Sequence, residues 1–184
     1  MKNLFFFLLP LLLLSCKGVE QHRGAIEELS ANWDTTTKAI TDFKAMVSSD
    51  LTNYTQALAA MQPADASKMT MTPEQSAAWE ASMKTVTDAL GAYSPLLKTV
   101  SDFEATWAEK SAEVTALKDG LAAGKIEGDV NAKITELNAM IATANENLAS
   151  WKTAYASIKG SVDAAMAGLH SGAPANMGGT TIKK

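Results

Sequence analysis

One cysteine, two histidines and five prolines are all that this 184-residue chain holds of those types, and each scarcity excludes something. A lone Cys16 forbids any disulfide within the chain, so stability has to come from packing. His22 and His170 stand at opposite ends of the helical region, which rules out a histidine pair at zinc spacing, and no metal or cofactor is expected. Positive charge is not in excess. The formal net charge is −4, which argues against nucleic acid and against a polybasic membrane surface. Catalytic signatures are missing as well: there is no Gly-x-Ser-x-Gly elbow, no glycine-rich phosphate loop and no Glu-x-x-His, and no stripe position carries a carboxylate. The chain reads as a non-enzyme.

What is present begins with Met1-Lys2-Asn3 ahead of an apolar run from Leu4 to Leu14. A bilayer span needs about 20 apolar residues, so this run is too short to cross and has the charge-then-apolar order of a removable signal peptide, residues 1–15. No later stretch competes with it.

At its end, Leu13-Leu14-Ser15-Cys16 resembles the lipobox of bacterial lipoproteins, in which Leu, a tolerant position and a small residue precede Cys. The resemblance covers the first 16 residues only. It implies cleavage before Cys16, a diacylglycerol thioether on its sulfur and an acylated (palmitate-type) new N-terminus. Three chains would anchor the protein, and two or more lipid signals are what stable attachment requires. Lys17, where Asp favours inner-membrane retention in that family, points to the outer membrane. Residues 16–24 then form the lipidated Cys and a tether. From Lys17 to Gly24 the tether spans at most roughly 28 Å when fully extended.

From Ala25 the pattern turns helical. Ile26, Leu29, Trp33, Thr36, Ile40, Phe43 and Val47 recur at alternating steps of three and four, and the stripe resumes at Leu51, Tyr54, Leu58 and Met61. Gln62 to Thr72 is a break. Thr72, Pro73 and Gln75 then make a helix start with a capping box. Trp79, Val86, Tyr93, Val100, Trp107, Val114 and Leu121 follow at a strict spacing of seven. Pro95 falls inside this segment, with Gly91 four residues earlier. An interior proline deletes one hydrogen bond and crowds that carbonyl, so the expectation is a kink near Pro95, although Ser94-Pro95 could also cap a separate helix. Gly120, Gly124 and Gly128 mark a second turn, and Asp129 is a candidate cap. Two heptad rows, beginning at Val130 and Ile134, then run to Leu169.

These patterns predict an all-α fold: an elongated, antiparallel, coiled-coil-like three-helix bundle over residues 25–170, spectrin-like in proportion. Its helices would span about 25–62, 73–121 and 129–169, with a flexible tail at 171–184. Folding the chain about its turns brings Trp33, Phe103 and Trp151 into one aromatic layer, a candidate apolar-ligand site or plain core. All four tryptophans also lie in Ala-x-Trp-x6-[Ile/Val], and two copies extend through a Lys-x3-Asp pair: Lys38 with Asp42, and Lys84 with Asp88. One reading of that repeat is four equivalent ligand or partner sites; the other, favoured by the place of all four tryptophans on the apolar stripes, is core packing with exposed i,i+4 ion pairs.

The functional expectation is a lipid-anchored, non-enzymatic helical spacer or protein-interaction module of the cell envelope, bound to membrane lipid through Cys16 and to an unidentified envelope protein. An alternative is a carrier that opens the bundle to hold an apolar ligand. A further one is peptidoglycan attachment: the tail ends in Lys183-Lys184 and in that respect looks like Braun's lipoprotein, whose C-terminal Lys is joined to the cell wall.

Overall fold

The computed structural model describes residues 18–61 and 71–172. The signal peptide, Cys16, Lys17, most of the first turn and the tail with Lys183 and Lys184 lie outside the described residues. Among those described the chain is all-helical, with no strand. The principal helices are α1 (Arg23–Met61), α2 (Pro73–Gly91), α3 (Tyr93–Ala122) and α4 (Val130–Gly172).

Their ends follow from local chemistry. At the start of α2 the Thr72 hydroxyl accepts the Gln75 N–H at 3.3 Å, while the Gln75 side-chain oxygen accepts the Thr72 N–H at 2.9 Å. This reciprocal pair satisfies two helix-end donors, and Pro73 costs nothing where no N–H partner exists. α3 closes with a Schellman motif, in which the Lys125 N–H reaches the Gly120 carbonyl (2.8 Å) and the Gly124 N–H reaches that of Leu121 (3.2 Å). Gly124 takes φ 68°, a left-handed torsion that a β-carbon would disfavour. α4 opens on Asp129, whose carboxylate accepts the Ala132 N–H at 3.0 Å.

The segment expected as one kinked helix is two helices. Ala92 separates α2 from α3, so the count is four rather than three. Pro95 supplies the physical reason: it has no N–H for the Gly91 carbonyl, and its ring would press on that oxygen in a continuous helix. The last turn of α2 tightens instead, with the Ala92 N–H bonded to Ala89 O at 3.2 Å, and Pro95 falls in the first turn of α3, where it is tolerated. Ala92 itself keeps right-handed torsions (φ −68°, ψ −18°). The helical phase therefore survives the break, and all seven members of the Trp79-to-Leu121 row are buried on both sides of it.

The chain divides into two compact units. The first joins the chain up to Phe43 with Val100–Ala149, and its core includes Ile26, Leu29, Trp33, Ile40, Trp107, Leu117, Leu137 and Leu148. The second joins Lys44–Thr99 with the chain from Ser150, around Val47, Leu58, Val86, Tyr93, Leu96, Val162 and Leu169. Both Lys-x3-Asp pairs form on exposed helix faces at 2.6 Å, as surface ion pairs worth about 0.3–0.5 kcal/mol each.

Candidate functional site

The first unit holds a reciprocal tryptophan clasp. Trp33 on α1 and Trp107 on α3 stack with ring centroids 3.7 Å apart and planes 13° from parallel. The Trp33 indole N–H donates to Ser111 Oγ (3.0 Å), and the Trp107 N–H donates to Thr37 Oγ1 (2.8 Å). Each hydroxyl lies four residues after the tryptophan of its own helix and donates in turn to that tryptophan's carbonyl: Thr37 to Trp33 O (2.8 Å) and Ser111 to Trp107 O (3.0 Å). The arrangement is related to itself by a local two-fold exchange of α1 and α3. The pairs 33 with 111 and 37 with 107 count in opposite senses, so the two helices run antiparallel here. Aromatic pairs prefer offset or edge contacts, so the two N–H bonds are what hold these rings face to face. Phe103 joins the cluster, 6.0 Å from Trp107. Nearby, Lys110 bridges Glu113 on its own helix (2.7 Å) and Glu136 on α4 (2.5 Å); these two bonds raise its pKa.

Of the residues that sequence spacing singled out, Trp33 and Phe103 are thus gathered around Trp107. Trp151 is buried in the second unit. Trp107 had its own signal in the heptad row and in the tryptophan repeat, but its pairing with Trp33 depends on helix register. Cys16, Lys183 and Lys184 are outside the described residues.

The second unit gathers all three tyrosines of the chain into one polar cluster. Tyr54 on α1 donates to Asp163 on α4, while Tyr155 on α4 donates to Asp50 on α1. Lys159 donates to Tyr54 Oη at 2.6 Å, pairs with Asp163 at 3.2 Å and lies 5.1 Å from the Tyr54 ring centre. Residues 50 and 54 thereby meet 155 and 159 in the same sense, so α1 and α4 run parallel. Tyr93, the first residue of α3, is wholly buried between the other two rings, 6.3 Å from Tyr54 and 6.4 Å from Tyr155. Its hydroxyl has no hydrogen-bond partner.

The electrostatics follow from this placement. Burial above all, with electrostatic contributions from Tyr54 and the Asp50 carboxylate in the same direction, pushes the Tyr93 phenol up to about 12. Burial and the bond to Asp50 do the same to Tyr155, also to about 12. Burial and donation to Asp163 raise Tyr54 against the opposing pull of Lys159. Asp163 is held below the ordinary carboxylate range by the Tyr54 hydroxyl and then by Lys159. Two neutral phenols, Tyr54 and Tyr155, with two carboxylates and one ammonium make a hydrogen-bonded tie between α1 and α4, and the Tyr93 ring packs against both phenols. Among the described residues, no three His, Cys, Asp or Glu side chains converge on a possible metal position.

The same unit has an open groove of about 400 Å³ lined by Ser82 and Thr85 of α2 and by Ser161, Ala164, Ala165, Gly168 and Leu169 of α4. Small side chains on both faces leave it unfilled. Among the described residues no helix is long and apolar enough to cross a membrane. Comparison of the chain with protein-family models, with curated proteins and with solved structures finds no match.

Proposed function

We propose that this chain is a lipid-anchored, non-enzymatic helical spacer or protein-interaction module of the bacterial envelope, acylated at Cys16 and carried on the outer membrane. The observation that carries this reading is the position of the only cysteine, at the end of the Leu4–Leu14 run and directly after Leu13-Leu14-Ser15. An unpaired thiol in an oxidising compartment is a liability, and a lipid thioether removes it. The helical part is read as the up-down-up antiparallel three-helix bundle that the sequence pattern predicts. Support comes from the opposite sense of the α1–α3 pairs and the common sense of the α1–α4 pairs. The two polar ties would hold the presented surface rigid, as a spacer or docking module requires.

The test is fractionation of the full-length chain and of its Cys16→Ala variant after expression in a Gram-negative host. The wild-type chain is expected in the outer-membrane fraction and in the detergent phase, the variant in the aqueous phase. Identical partitioning of the two would overturn the anchor.

The groove between α2 and α4 favours a second reading, a carrier for an apolar ligand. Saturable binding of a fluorescent long-chain fatty acid, lost on Ala165→Trp, is its expected signature. No saturable binding would remove it.

A further inference from the structure

We infer that α2 is an opening element: it detaches from the second unit as one piece, hinged at Ala92, while α1, α3 and α4 stay joined. The inference stands on geometry alone and does not depend on either functional reading.

Polar ties divide the helices unequally. α1 and α4 are bound to each other through Tyr54, Asp50, Tyr155, Lys159 and Asp163, and Tyr93 seats the start of α3 between their rings. By contrast, every side-chain hydrogen bond and ion pair of α2 among the described residues stays within α2 or its own cap: Ser82, Thr85 and Thr87 donate to carbonyls four residues back, Lys84 pairs with Asp88, and Thr72 with Gln75. Nothing directional would be broken if α2 moved away.

Apolar contact is all that remains, and it rests on three residues. Trp79, Val86 and Leu90 are the buried residues of α2, and of these Val86 alone is fully covered, since Trp79 and Leu90 each keep 9% of their surface exposed. Where α2 faces α4, the small residues from Ser82 to Gly168 leave a groove in place of interlocking side chains. Elements with few buried contacts and no external hydrogen bonds are the ones that open at low free energy.

The hinge is built into the sequence. At Ala92 the ladder is interrupted: Gly91 precedes it and Pro95, which cannot bond the Gly91 carbonyl, follows. Tyr93, fully buried beyond the break, fixes the α3 side of the hinge in the tyrosine cluster. Rotation about Gly91–Ala92 would therefore release α2 without disturbing α3, uncovering Trp79, Val86 and Leu90 together with the α4 strip at Ala165 and Leu169.

Hydrogen exchange of the full-length chain, read by mass spectrometry, tests this. Amides of 77–91 are expected to exchange at least about tenfold faster than those of 96–106 and 155–166, as a separately opening unit does. Two variants locate the hinge. Pro95→Ala restores the missing N–H, and Gly91→Ala stiffens a position where a β-carbon meets nothing within 4 Å, so neither should impair folding. Each is expected to slow exchange in 77–91 several-fold while leaving 155–166 unchanged, in line with the cost of opening a hydrogen-bonded turn. Equal protection of α2 and its neighbours in the wild-type chain would overturn the inference. So would variants that slow exchange equally across the second unit.

Discussion

Replacing Thr37 by Val removes one oxygen from the tryptophan clasp and almost no volume. The Trp107 N–H then loses its 2.8 Å acceptor while the ring, 3% exposed, stays sealed from water. A buried donor left without a partner costs about 1–3 kcal/mol, and that is the expected loss in unfolding free energy, measured by urea denaturation followed by far-UV circular dichroism. The value belongs to the N–H and not to the hydroxyl's other contacts, so it has to disappear when the donor is absent. In a Trp107→Phe background, which keeps an aromatic ring but has no N–H, Thr37→Val is expected to change stability by less than about 0.5 kcal/mol, giving a coupling of roughly 1–3 kcal/mol across the cycle. Local two-fold symmetry adds a check: Ser111→Ala is expected to behave alike, with its cost removed by Trp33→Phe. Equal losses in both backgrounds, or no loss in either, would refute the idea that reciprocal N–H bonds hold the stack.

The tyrosine cluster makes the fold sensitive at both ends of the pH scale. Tyr93 and Tyr155 ionise near 12 in the fold against 10.0 ordinarily, so their contribution is full below pH 10 and is lost as pH rises from 10 toward 12. Phenolate absorbance should accordingly appear well above pH 10 in the native chain and near pH 10 in urea. Asp163 has a depressed pKa, so its contribution is present above the ordinary aspartate value of 3.8 and fades as pH falls through the lower folded value. The side chain is half exposed, so the effect is small, and Asp163→Asn should flatten that part of a stability-against-pH curve. Glycine substitutions should split by site. Gly120→Ala would place a β-carbon 2.8 Å from Ile126 Cγ1 and 2.9 Å from the Lys125 carbonyl, and is expected to destabilise by about 1–3 kcal/mol in urea unfolding. Gly160→Ala meets nothing within 4 Å and should stabilise α4 by about 0.5–1 kcal/mol.

The all-helical fold was legible because each stripe repeats with the helical period. From Ile26 to Val47 every stripe position is buried, including Thr36, whose hydroxyl is satisfied by the Asn32 carbonyl (2.8 Å). Local chemistry was legible too, since the Thr72–Gln75 box and the two Lys-x3-Asp pairs need only neighbours along one helix. Pro95 was ambiguous for a physical reason. A proline is compatible with a kinked helix and equally with the first turn of a new one, and the choice depends on whether the preceding turn can close on itself, as it does through Ala92 and Ala89. The tyrosine cluster was not legible. Tyr54, Tyr93 and Tyr155 each sit on a different helix, and nothing in the spacing along one helix says that Asp50 will meet Tyr155 or that Asp163 will meet Tyr54. That depends on which faces come together across the fold. The tryptophan clasp stood between these cases: periodicity placed both indoles on the buried stripes, but the match of Thr37 and Ser111 to their N–H groups is a property of register.

The central claim, that this helical chain works from a lipid anchor, is tested most directly by mass spectrometry of the mature N-terminus from membranes of an expressing bacterium. The expected result is a chain that begins at Cys16 and carries diacylglycerol on the sulfur and an acyl chain on the amine. A mature chain that retains residues 1–15, or one that begins at an unmodified cysteine, would contradict it.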